Sequence, residues 1–185
     1  MSKTRCSWCN MNNPTYIKYH DDEWGKLCLD DEYLFEMLLL ESFQAGLSWE
    51  IILNKRENFK KAYDNFNIDK IRQYDDKKED ELRNNPGIIR NKLKIRASIN
   101  NAEIFKQIQS EFGSFKKYLE QFTPTNEIIY ETDKVTSNLS DNISKDLKKR
   151  GMKFVGSTII YSYLQAIGLI NSHQKECFMY KKKSE

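Results

Sequence analysis

Residues 32–40 read Glu-Tyr-Leu-Phe-Glu-Met-Leu-Leu-Leu. Wound into a helix, this segment is apolar nearly all the way round and offers water no continuous polar face, so it belongs at the centre of a core. A membrane span needs ~18 apolar residues, and no run in the chain approaches that. A buried central helix must be wrapped by amphipathic ones. With seven Gly and three Pro among 185 residues, a loop-rich or many-stranded fold is disfavoured, while abundant Lys, Glu, Leu and Ile favour helices. A content of 39% hydrophobic and 12% aromatic residues excludes disorder. No repeat or linker divides the chain, which predicts one domain over residues 1–185.

Apolar spacing predicts the surrounding helices. A stretch over 47–66 carries Trp49, Ile52, Leu53, Phe59, Ala62, Tyr63 and Phe66. After the turn signal Asn84-Asn85-Pro86-Gly87, a long helix over 88–110 carries Ile89, Leu93, Ile95, Ile99, Ala102, Ile104, Phe105 and Ile108. A short helix over 114–122 ends before Pro124, residues 126–136 form a loop or short extended piece, and Ser140 caps a helix bearing Leu139, Ile143 and Leu147. Residues 150–157 interrupt that helix with Arg-Gly-Met-Lys-Phe-Val-Gly-Ser, and an apolar helix over 158–167 closes at Gly168. The expected fold class is all-α, with about nine or ten helices.

Charge is unevenly spread. The net value of +3 excludes neither catalysis nor nucleic-acid binding. Residues 21–41 hold eight acids against Lys26, whereas residues 142–185 hold nine bases, among them Lys148, Lys149, Arg150, Lys153, Lys182 and Lys183, against three acids. One end repels phosphate and the other attracts it. A solvated helix face with a disordered lysine tail is the plainer reading of the basic cluster.

The chain has two histidines, each near a cysteine: Cys6 with His20, and His173 with Cys177. The opening residues lack a signal-like apolar stretch, which points to a cytoplasmic, reducing setting in which cysteines stay free or bind metal. A four-residue spacing stacks His173 and Cys177 on one face of a helical turn, ~5–6 Å apart. With His20 and either Cys6 or Cys9 they make a closed two-Cys, two-His zinc site that clips the chain ends together, over 6–20 and 173–177. The alternatives are ordinary buried histidines beside small core cysteines, and a redox dithiol at Cys6 and Cys9, for which a βαβ setting is missing.

Aromatic residues crowd the same opening segment. Trp8, Tyr16, Tyr19 and Trp24, with Glu41, Gln44 and Trp49, could build a flat slot with a polar edge. Base-binding pockets sandwich a ring between aromatic faces and read its edge with carboxylate, amide or hydroxyl groups. Plain core packing is the alternative. At the glycine turn, backbone amides near Ser157 can receive a phosphate oxygen, helped by Lys149, Arg150 and Lys153, although glycines at helix ends are also routine packing.

Six motifs, in order, resemble one family: Cys6-Ser7-Trp8; residues 16–25, Tyr-Ile-Lys-Tyr-His-Asp-Asp-Glu-Trp-Gly; residues 40–49, Leu-Glu-Ser-Phe-Gln-Ala-Gly-Leu-Ser-Trp; Lys55-Arg56-Glu57-Asn58; Gly87-Ile88-Ile89-Arg90; and residues 147–156, Leu-Lys-Lys-Arg-Gly-Met-Lys-Phe-Val-Gly. Together they resemble the 3-methyladenine DNA glycosylase I family of the helix-hairpin-helix superfamily, over almost the whole chain. The resemblance implies a monomeric repair enzyme that excises 3-methyladenine from alkylated double-stranded DNA and releases the free base, with one structural zinc ion and no organic cofactor. The hairpin would span about 140–168. It places the zinc ligands on Cys6, His20, His173 and Cys177, leaving Cys9 aside. Base recognition and catalysis fall on Tyr19, Glu41 and Trp49, with Trp8, Tyr16, Trp24 and Gln44 lining the slot, and Leu47 beside Gly46 is the expected wedge into the duplex. The DNA-binding turn comprises Lys149, Arg150, Gly151, Lys153, Gly156 and Ser157.

Two departures stand out. The hairpin glycines, Gly151 and Gly156, are five apart, wider than in the superfamily at large. The catalytic Asp that many superfamily members carry after the hairpin is missing, the first acid after Gly156 being Glu176. Glu41 is expected to be ionised, accepting hydrogen bonds from the exocyclic amine of the base. Two other classes fit the same features: a DNA-binding module that cuts no bond, and a purely structural zinc-stabilised helical protein.

Overall fold

The computed structural model describes residues 3–123 and 127–181. The helix expected over 114–122 is shorter, starting at Phe115 and ending at Leu119, while Pro124, the start of the 126–136 segment, and Lys182 and Lys183 lie outside those residues. The chain is mostly helical. Among the described residues the order is α1 (Pro14–Asp22), α2 (Asp31–Gln44), α3 (Trp49–Asn54), α4 (Arg56–Ala62), α5 (Ile68–Ile71), α6 (Asp76–Asn84), α7 (Lys92–Phe112), α8 (Phe115–Leu119), β1 (Ile129–Tyr130), α9 (Asn138–Lys149), α10 (Ser157–Ala166) and β2 (Ile170–Asn171). The all-α expectation is corrected by β1 and β2, which pair in parallel with Ile129 opposite Ile170.

α2 takes the central place its sequence requires: Leu34, Phe35, Met37, Leu38, Leu39, Leu40 and Phe43 are all buried. It packs against α7, α8 and α10, and α10 packs on α9. Asp30 caps α2, its carboxylate accepting from the amides of Glu32 and Tyr33, while Asp31 accepts from the amides of Phe115 and Lys116 at the start of α8. Much of the acidic stretch is therefore structural, since Asp21 pairs with Arg5, and Glu23 and Glu36 share Arg56.

Three sequence expectations change. The 47–66 stretch is broken after Asn54 and again after Ala62, where Asp64, Asn65 and Phe66 adopt φ of 49°, 57° and 58°. Asp and Asn tolerate that left-handed region, and Asp64 is fixed there by the Tyr74 hydroxyl at 2.6 Å. Ser137, not Ser140, caps α9, and Ser140 completes a reciprocal capping box. α7 starts later than expected, after the cap at Asn91, and its buried line runs through Lys94, Ser98, Asn101 and Phe105, which leaves Leu93 68% exposed.

Gly168 draws the two chain ends together. It sits at φ +79°, and a Cβ there would fall 2.1 Å from the carbonyl carbon of Lys26, so only glycine lets the strand pass. The amides of Gly25 and Cys28 donate to the carbonyls of Gln165 and Ile167 across this crossing.

Candidate active site and metal centre

The crossing leaves a cavity of about 360 Å³ between α1, α2, the start of α3 and α10, a size suited to a small organic ligand. Trp8, Tyr16, Tyr19, Trp24, Glu41, Gln44 and Trp49 all line it, so every residue expected in the aromatic slot is in one place. Tyr19 and Trp49 are tilted at 49° to each other with ring centroids 5.4 Å apart, and Trp8 stands edge-on to Trp24 at 4.7 Å. Four polar atoms on this lining are buried with no hydrogen-bond partner: Glu41 Oε2, Gln44 Oε1, Trp49 Nε1 and Ser172 Oγ. Native proteins rarely leave such groups orphaned, and four around one cavity mark a ligand site.

Burial raises the Glu41 carboxyl well above its ordinary range, so the ligand-free cavity favours the neutral acid. Desolvation is the cause of that shift, so the ionised Glu41 expected beside the base calls for a positive charge in the cavity to offset it. Burial likewise lifts the Tyr19 phenol, which stays protonated as a donor.

Sequence reading missed the opposite wall, made by Ser162, Gln165, Ser172 and Gln174, with Asp133 and Lys134 at its edge. One signal was available: Ser162 and Gln165 lie three apart in the largely apolar stretch after Thr158, which puts them on one face of α10.

Behind Trp8 and Trp24 lies the second constellation. The ligand atoms of Cys6, His20, His173 and Cys177 all fall within 4.8 Å of one another, and all four residues are buried. Cys177 Sγ is 3.5 Å from both His20 Nε2 and His173 Nδ1, and Cys6 Sγ is 3.5 Å from His173 Nδ1. Cys9 is buried but stands outside the group. The outer side of each ligand is held. His20 Nδ1 meets Asp21 at 2.8 Å, which in turn binds Arg5, and His173 Nε2 faces the Trp24 carbonyl at 3.3 Å. The sulfurs of Cys6 and Cys177 accept from the amides of Gln174 and Met179. Such a group could hold a metal ion. Residues 173–177 form a turn rather than the expected helical turn, with the Cys177 amide donating to the Gln174 carbonyl.

The methyladenine glycosylase family matches residues 8–180. The chain belongs to that family. It is 39% identical over 181 residues to DNA-3-methyladenine glycosylase 1 of Escherichia coli (strain K12), covering 95% of this chain and 96% of the relative. Its backbone superimposes with a TM-score of 0.91 on the 3-methyladenine DNA glycosylase I of Staphylococcus aureus, at 32% identity and full coverage of both chains. A variant of 3-methyladenine DNA glycosylase I crystallised in complex with 3-methyladenine matches with a TM-score of 0.90, at 32% identity over 96% of this chain and 98% of that one.

In this methyladenine glycosylase the glycine turn between α9 and α10 is tightly braced. Gly151 adopts φ +100° and Phe154 φ +55°. Asn100 and Asn101 of α7 hold the turn, Asn100 donating to the Gly151 carbonyl, while Asn101 both donates to the Lys153 carbonyl and accepts from its amide. Gly156 caps α10 without a side-chain acceptor and has open space where a Cβ would stand. The turn's cations differ in kind. Lys149 and Lys153 are exposed, whereas Arg150 is committed to Glu111 and Asp146 and lies over the rings of Phe112 and Tyr118. The Ser157 hydroxyl is occupied by Ser140 and Asp141. Leu47 is half-buried beside exposed Gly46, and Glu176 is exposed outside the cavity.

Proposed function

We propose that this chain removes 3-methyladenine from alkylated double-stranded DNA by hydrolysing the N-glycosidic bond, acting as a cytoplasmic monomer and releasing the free base. The observation that carries this reading is the set of unpartnered atoms on Glu41, Gln44 and Trp49 around one aromatic cavity, in a chain of this family. Methylation at N3 leaves the base cationic, so the bond to the sugar is already weakened. Water adds to C1′, the bonding electrons return to the ring, the base departs neutral, and the proton of the water passes to solvent. Strong acid catalysis is not needed.

The protein's task is to extract and hold the nucleotide. Flipping costs a few kcal/mol, and each base–aromatic stack returns ~1–3 kcal/mol, more for a cation over a π face. Tyr19 and Trp49 supply the stacking, with Trp8, Tyr16 and Trp24 behind them, and Gln44 offers its carbonyl to the base edge. A cationic base in the cavity offsets the desolvation of the carboxylate, so Glu41 releases its proton to solvent and the carboxylate accepts from the exocyclic amine; neutral adenine offers no such compensation for the buried charge. Glu41 is thus a selector. It favours the charge that the reaction removes, so it contributes more to binding than to bond cleavage. Leu47 fills the place of the extracted nucleotide. The free amides of α10's first turn, with Lys149 and Lys153, take the strand's phosphates, while Gly151 and Gly156 keep that approach open and Arg150 holds the turn from within.

The Cys6, His20, His173 and Cys177 group fits structural zinc. Bonds of ~2.3 Å to sulfur and ~2.05 Å to nitrogen at tetrahedral angles separate S from N by about 3.6 Å, which the 3.5 Å spacings match. Zinc here would supply cross-linking alone, since four protein ligands leave no position for a substrate.

Incubation with methylated duplex DNA, followed by chromatography of the soluble bases, is the test. Free 3-methyladenine is expected; tight binding to the duplex with no base released would instead establish the DNA-binding module.

A further inference from the structure

Residues 44–47 form a type II turn at the end of α2. Ala45 has φ −44° and ψ 114°, Gly46 has φ +78°, and the Leu47 amide donates to the Gln44 carbonyl at 2.6 Å. This turn joins the cavity to the duplex-facing edge: Glu41 and Gln44 precede it and Leu47 ends it. Type I and type II turns differ by a flip of the central peptide, here the one between Ala45 and Gly46. The Ala45 carbonyl therefore reports which form is present.

Lys94 holds that carbonyl. Its side chain is buried, and Nζ donates to the carbonyl of Ala45 at 2.6 Å and to that of Phe43 at 2.7 Å. Capping the last carbonyls of a helix with a cation is ordinary, and the contact to Phe43 is of that kind. The bond to Ala45 lies beyond the helix and fixes the peptide that would otherwise flip. The same ammonium stands 6.0 Å from the Phe154 ring, the left-handed residue of the hairpin turn. Further along α7, Asn100 and Asn101 grip that turn through its backbone. The stretch from Lys94 to Asn101 spans about 10 Å at helical rise. α7 thus sets the distance between the turn carrying Leu47 and the turn facing the backbone.

The geometry points to Lys94 as a positioning residue for excision from duplex DNA: it locks the 44–47 turn in its type II form and in register with the hairpin, so that Leu47 enters the duplex while the hairpin holds the strand. This rests on the wedge reading of Leu47 given above. It assigns Lys94 to extraction of the nucleotide and not to recognition of the base.

The test compares single-turnover excision from methylated duplex DNA with binding of free 3-methyladenine, followed by tryptophan fluorescence. Lys94→Met should lower duplex excision by about ten- to a hundredfold, the range expected for a misplaced positioning element, while changing free-base affinity by less than about twofold. Gly46→Ala, which meets no atom within 4 Å and strains only the backbone, should reproduce that split and serves if Lys94→Met does not fold. Lys94→Arg, which keeps a donor, should recover part of the duplex rate. A parallel loss of free-base affinity, or unchanged duplex excision, overturns the proposal. Leu47→Ala separates the two readings: if it leaves excision intact the wedge itself fails, and if it impairs excision while Lys94→Met does not, only the role of Lys94 fails.

Discussion

The aromatic cavity and the Cys/His group share a wall, yet they treat buried polar atoms in opposite ways. Trp8 and Trp24 separate them, Trp8 packing on His20 with centroids 5.3 Å apart and Trp24 on His173 at 4.6 Å. On the cluster side each histidine and each thiol has a second partner that fixes its direction. On the cavity side Glu41, Gln44 and Trp49 each keep an atom with none. A group that must hold one geometry permanently is supported from behind. A group that must exchange ligands is left with capacity to spare, and the fold bears the cost. The supported site stiffens the wall against which the unsupported one works.

The largest way to break this comparison is to remove a ligand. Cys177→Ala should abolish metal content, measured by elemental analysis, and lower thermal stability by several kcal/mol, or on the order of 10 °C in a chain of this size. Free 3-methyladenine binding should weaken with it, because Trp8 and Trp24 lose their backing. Equal metal content in variant and wild type would remove the cluster from the account.

Glu41→Gln should act in the reverse sense on stability. A carboxyl whose folded pKa is raised makes the folded state bind more protons, so stability is full below the usual 4.5 and falls as pH rises through the raised value. The amide variant lacks that loss. At pH 7 it should melt higher than wild type, with the gap closing below pH 4.5, while excision drops. Equal stability at both pH values would mean that Glu41 bears no burial penalty.

Much of this was legible in the sequence, and the reason is local. The apolar circumference of residues 32–40 dictated a central helix, and aromatic crowding with two Cys–His pairs marked both sites. What escaped was set by distant packing. Ser172 and Gln165 reach the cavity only because Gly168 lets the chain ends cross. Lys94 is buried because the carbonyls of Phe43 and Ala45 satisfy its ammonium, and periodicity does not foresee a lysine inside. Arg150 reads as a phosphate ligand from its neighbours Lys148 and Lys149, yet Glu111, 39 positions earlier, claims it.

Two smaller effects sharpen the contrast between supported and open groups. Asp21→Asn removes the carboxylate behind His20 and should cost about 10–100-fold in metal affinity, read by competition with a chelator, with the cavity otherwise intact. At the hairpin, Lys149→Ala should lower the salt dependence of duplex binding by about one unit of slope, whereas Arg150→Ala should leave the slope unchanged and cost about 1 kcal/mol of stability.

The most direct measurement titrates wild-type protein with free 3-methyladenine and with adenine, observed by calorimetry and by tryptophan emission, and repeats it with Glu41→Gln. Saturable one-to-one binding of 3-methyladenine, perturbed Trp emission, weaker adenine binding and loss of that preference in the variant are the predicted result. Equal affinity for the two bases in both proteins would contradict a cavity in which Glu41 selects the methylated ring.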